Sequence, residues 1–70
     1  MIKVVSVQKE DGKKVPSTLD LRTGVVKASE EVSGSIEVEV KGSRYETVNT
    51  NGVYSVSMDD LKEIIFETQS

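Results

Sequence analysis

The sequence predicts a mainly β domain, α+β only through one helix: a small, partly open antiparallel barrel or twisted meander of about five strands, closed by a C-terminal helix. Three observations predict it. Val supplies 12 of the 25 hydrophobic residues against three Leu and one Ala, and Val, Ile and Thr together make 21 of 70 residues. β-branched side chains on that scale favour a pleated, half-buried surface over a helix. Two turn dipeptides, Asp11-Gly12 and Asn51-Gly52, each join a pair of apolar-patterned runs. After Val56 the apolar spacing changes from a period of two to a helical one.

Taken in chain order, Ile2–Glu10 and Lys13–Leu21 form the first expected hairpin. A two-residue type I′ turn at Asp11-Gly12 sets Glu10 against Lys13, Gln8 against Val15, Val4 against Leu19, Lys3 against Asp20 and Ile2 against Leu21. Ile2, Val4, Val15, Leu19 and Leu21 then share the buried face. Pro16 marks its strand as an edge or a bulge, because it lacks an N–H for the ladder. A short strand over Val25–Ala28 follows the turn at Thr23-Gly24.

Ser35–Lys41 alternates strictly, with Ile36, Val38 and Val40 inward and Glu37, Glu39 and Lys41 outward, between the turn residues Gly34 and Gly42. The second hairpin pairs Arg44–Thr50 with Val53–Val56 around Asn51-Gly52. Its register sets Asn49 against Tyr54 and Thr47 against Val56, so Tyr45, Thr47, Tyr54 and Val56 share one face.

Ser57 then stands where a helix N-cap belongs, Asp59 and Asp60 fall in the first turn where the helix dipole favours acids, and Val56 with Leu61 forms a hydrophobic staple. The helix is expected over about 58–67, packing Leu61, Ile65 and Phe66. The competing reading keeps Met58–Leu61 as one helical turn and makes Ile64–Thr68 a closing strand. The whole of 1–70 reads as a single domain without repeats or linkers.

Composition bounds the function. A 70-residue chain without Cys or His has neither disulfides nor the usual zinc ligands to support a thin core, so oligomerisation or docking on a larger partner is expected. Without His, a Ser nucleophile lacks its ordinary base. The five glycines are isolated rather than gathered in a phosphate-cradling run, and the Asp59-Asp60 pair has no EF-hand spacing around it. No catalytic, cofactor-binding or metal-ligating residues are therefore assigned. No membrane span or signal peptide is read in the chain, and a cytoplasmic location is expected.

The net charge of −3 conceals an asymmetry: residues 1–27 carry six cations and three anions, residues 28–70 three cations and nine anions. One consequence is self-association through complementary surfaces. The expected function is a non-enzymatic protein–protein interaction or assembly module, of the kind bacterial or phage genomes encode as tiny stand-alone proteins. The edge strands Val25–Ala28 and the Pro16-containing strand are the expected contact surfaces. The alternative is a small nucleic-acid-binding β-barrel using Lys9, Lys13 and Lys14 of the first hairpin, with Tyr45 and Tyr54 as candidate stacking platforms.

The run Val7-Gln8-Lys9-Glu10-Asp11-Gly12-Lys13-Lys14-Val15 looks like the opening of Sm-like RNA-binding barrels, and such a resemblance implies RNA contact. Gly12–Pro16 followed by Leu19-Asp20-Leu21-Arg22 is similar to swapped-hairpin DNA-binding proteins of the antitoxin and transition-state-regulator kind. Each resemblance covers under a quarter of the chain, and the later motif of each family is missing.

Overall fold

The computed structural model describes residues 1–69. Its order is β1 (Ile2–Gln8), β2 (Lys14–Asp20), β3 (Val25–Ala28), β4 (Glu37–Val40), β5 (Ser43–Thr50), β6 (Val53–Val56) and α1 (Met58–Gln69). All neighbouring strands are antiparallel, and they close into a barrel in the order β1-β2-β3-β6-β5-β4, with β4 returning to β1. The small barrel with one C-terminal helix is as the sequence predicts. Its six strands fall on the six runs read as strands, one more than the overall count of about five, and the ring is shut rather than partly open.

Closure overturns one expectation. β3 is paired on both sides, by β2 and β6, and β2 by β1 and β3, so neither is a free edge strand. Pro16 is accommodated because the β2–β3 ladder runs only from Ser17 to Leu19, leaving the proline beyond it. Its carbonyl accepts a hydrogen bond from the Ser29 N–H at 2.9 Å.

The first hairpin is displaced by one residue from the expected register. The Gly12 N–H donates to the Lys9 carbonyl at 2.9 Å and the Lys9 N–H to the Lys13 carbonyl at 2.8 Å, so the loop is a turn over Lys9–Gly12 ending in a bulged glycine at φ +86°. The Asp11 carboxylate fixes it further by accepting from the Lys13 N–H at 2.9 Å. This three-residue loop sets Gln8 against Lys14, Val7 against Val15 and Lys3 against Leu19.

A one-residue slip exchanges the faces of a strand. Val5 and Val7 therefore enter the core, at 6% and 0% exposure, while Ile2 and Val4 stand outside at 60% and 80%. The pattern of β1 could not reveal this, since its residues are apolar at both parities.

The second hairpin keeps its expected register, Asn49 against Tyr54 and Thr47 against Val56. Asn51 and Gly52 take φ +52° and +84°, as a type I′ turn requires. Tyr45, Tyr54 and Val56 are buried with Val38 and Val40 of β4, whose alternation is as read. β3 spans the expected residues.

Each end of the barrel is covered differently. At one end α1 lays Leu61 and Ile64 into the core, at 2% and 0% exposure, with Ile65 packed against them. The Ser57 hydroxyl accepts from the Asp60 N–H at 3.2 Å, the expected cap, and the closing-strand alternative for Ile64–Thr68 is excluded. Phe66, expected to pack, is 73% exposed, because Ile64 takes the inward position. At the other end the segment 29–36 crosses the barrel, with Val32 packed on the core and Ile36 buried. Tyr54 Oη ties this segment down by donating to the Gly34 carbonyl at 2.8 Å, and Glu10 Oε1 accepts from the Ser35 N–H at 2.9 Å.

Candidate interaction surface

The interior is filled by side chains, so the accessible features of the molecule are on its outer wall. Along β1 the outward positions are Ile2, Val4, Ser6 and Gln8; across β2 they meet Asp20, Thr18, Pro16 and Lys14. A strand with one wet face should alternate apolar and polar residues, and β1 does not. Val4 is the most exposed of the large hydrophobic residues outside the core, ahead of Met1 at 79%. An open apolar groove of about 330 Å³ runs beside Val4 between Pro16, Thr18, Lys27 and Ala28.

On the far side of the ring, β5 presents Glu46 and Val48 outward, flanked by Glu37 on β4 and Val53 on β6. Val48 and Val53 are 59% and 49% exposed. Glu37 and Glu46 stand directly opposite each other, a like-charge pair that ordinarily destabilises a ladder. Both line an open cleft of about 410 Å³ together with Glu10 and Lys9.

The three lysines of the nucleic-acid reading are adjacent but not alike in setting. Lys13 is exposed at the turn. Lys14 Nζ lies 2.8 Å from Glu39 Oε1 in an ion pair, and Lys9 is half-buried beside Glu10, Glu37 and Glu46. Tyr45 and Tyr54 are both in the core, at 6% and 7% exposure, so neither offers a ring face to a base. The fold thus sets Lys9 and Lys14 beside carboxylates and leaves Lys13 exposed, with both tyrosine rings in the core.

Two titrating groups are perturbed. Burial pushes the Tyr45 hydroxyl above its ordinary value, and the carboxylates of Glu63, Glu67 and Asp60 on α1 add to the rise, with Ser43 opposing it. Its Oη is buried without a hydrogen-bond partner. Asp20 is held below the usual carboxylate range, chiefly because its carboxylate accepts from the Arg22 N–H at 2.8 Å. Neither group lines either of the two clefts described above. Among the described residues no cluster of three acidic side chains could hold a metal ion, and no helix is long and apolar enough to cross a membrane.

No protein-family model, curated protein or solved structure matches this chain. Its outer surface is thus read from its own residues. The sequence pointed to edges and to lysines; it missed Val4, for which the apolar residues at both parities of Ile2–Val7 were the available signal.

Proposed function

We propose that this protein is a non-enzymatic protein–protein interaction and assembly module whose first partner is another copy of itself. The observation that carries the reading is the outer face of β1, where Ile2 and Val4 remain 60% and 80% exposed on a strand whose opposite face is already in the core. A strand apolar on both faces is the pattern of a strand covered on both faces. Exposed apolar groups concentrated in this way mark contact sites rather than ordinary surface. Size supports the same conclusion: at 7.7 kDa the core is near the lower limit for an independent domain, and further burial is the available route to stability.

The test is a solution mass by sedimentation or light scattering at micromolar concentration. The wild-type protein is expected above 7.7 kDa, and Val4→Asp, which changes only an outward side chain, is expected to return it to the monomer. A stably folded wild-type chain that remains monomeric into the hundred-micromolar range sinks the reading.

A further inference from the structure

Beyond self-association, we propose a second contact on β1: its first residues form a free sheet edge that takes up an extended acidic segment of another protein as an added strand. Self-association uses the outward side chains of Ile2 and Val4, whereas this contact uses their backbone.

β1 pairs with β2 along all of Ile2–Gln8, but with β4 only through Ser6–Gln8. β4 stops at Val40, because Lys41 and Gly42 take φ +49° and +84° and turn the chain back into β5. An open cleft of about 280 Å³ is left between Val4 and this turn. Among the described residues no backbone hydrogen bond spans it.

Strand geometry decides which groups face the cleft. In an antiparallel ladder the N–H and C=O of one residue point to the same neighbour, and successive residues alternate between neighbours. The Lys9 N–H donates to Lys13 and the Met1 carbonyl accepts from Leu21, so the odd-numbered residues of this run bond toward β2. Ile2 and Val4 therefore aim their N–H and C=O groups toward the side that β4 has left open. An extended segment laid there recovers these bonds, which is the basis of strand addition at a sheet edge.

The side chains along the edge state what the added strand carries. Successive residues of it stand opposite Ile2, Lys3 and Val4. Those against Ile2 and Val4 join the exposed apolar face, and the one between them meets Lys3. Lys3 is half-buried and, among the described residues, has no ion-pair partner. Lys41 adds a second cation on the far lip, where its Nζ donates to the Glu67 carbonyl at 3.5 Å. The carboxylate in the lining, Glu39, is already held by Lys14 at 2.8 Å.

An apolar–acidic–apolar strand thus complements the edge in charge and in pattern. A second copy does not. Pairing Ile2 with Val4 of the copy about a two-fold axis sets Lys3 against Lys3, and an inward lysine is a device that keeps like edges apart.

The test begins with amide hydrogen exchange of the free full chain, where Val5 should be protected and Val4 should exchange freely. Protection of both that deepens with concentration means that a second copy holds the edge, and overturns the proposal. The probe is a short blocked peptide with the core Val-Glu-Val between threonines. Titrated to about 1 mM, it should slow exchange at Val4 and shift the amide resonances of Ile2 and Val4.

A Val-Lys-Val analogue should bind about three- to tenfold more weakly, and Lys3→Glu should reverse that preference. Methylating both valine nitrogens removes the donors aimed at Ile2 and Val4, and should abolish binding. The peptide comparisons use the wild-type chain, so they decide the matter even where Lys3→Glu folds poorly. Unshifted Ile2 and Val4 resonances, equal binding of the acidic and basic peptides, or undiminished binding of the methylated one each overturn the added strand. None of these outcomes alters the solution mass by which self-association is judged.

Discussion

At the scale of single residues, Tyr45 shows how a side chain can serve packing at the expense of its polar end. Its ring fills the core between β4 and α1, at 6% exposure, but its hydroxyl is buried without a partner. A buried, unsatisfied hydroxyl costs about 1–3 kcal/mol. Tyr45→Phe removes that group and keeps the ring, and is expected to leave stability equal or raise it by about 1 kcal/mol at neutral pH.

The pH dependence supplies a second reading of the same variant. The folded-state pKa of Tyr45 lies above its ordinary value of 10.0, raised first by burial and then by Glu63 and Glu67. The unfolded chain thus ionises first as the solution becomes alkaline, and the wild type loses stability as pH rises past about 10 toward the folded value. Tyr45→Phe should flatten that alkaline loss. Thermal melts from pH 8 to 11 check this, and a variant that declines in parallel with wild type would show that the hydroxyl is not shielded as described.

At the scale of elements, the β hairpins separate what local sequence determines from what it leaves open. Asn51-Gly52 specifies both its turn and its register, because only one face of its strands, that of Tyr45, Tyr54 and Val56, can be buried. Ile36, Val38 and Val40 likewise alternate with charges and admit one reading. Asp11-Gly12 announces a turn equally well, but its glycine closes a three-residue loop as readily as a two-residue one, and the choice depends on the backbone hydrogen bonds that Lys9 donates to Lys13 and accepts from Gly12. Since β1 is apolar at both parities, nothing in its pattern could correct the slip.

Closure of the barrel was equally hidden, because the pairing of β1 with β4 links residues some thirty positions apart and carries no local signature. The exposed apolar face of β1 was lost with the register, since Val4 was assigned to the core. Two substitutions test the observed register directly. Val5→Asp places a charge in the barrel interior and should cost several kcal/mol or abolish folding. Val4→Asp should change the stability of the dilute protein by no more than about 0.5 kcal/mol. Chemical denaturation measures both, and the reverse order of effects would restore the two-residue turn.

At the scale of the whole molecule, the small core sets the margin of stability. Native domains hold roughly 0.05–0.15 kcal/mol per residue, which for 70 residues is only about 4–10 kcal/mol. The fully buried side chains are few, Leu19, Leu61, Ile64, Val7, Val15 and Val38, and truncating one such residue as Leu19→Ala costs about 2–5 kcal/mol. A fold with so little margin is stabilised by any partner that binds the native barrel and not the unfolded chain. If that partner is another copy, stability depends on concentration. The melting temperature of the wild type should therefore rise as the protein is concentrated over about two orders of magnitude, since each tenfold change in bound ligand relative to Kd contributes about 1.4 kcal/mol. Each 1 kcal/mol of such stabilisation moves Tm by about 4–8 °C in a domain this small. Val4→Asp should melt at the dilute wild-type temperature at every concentration. A wild-type Tm that is flat across the whole range would detach the exposed β1 face from self-association and leave the barrel standing on its core alone.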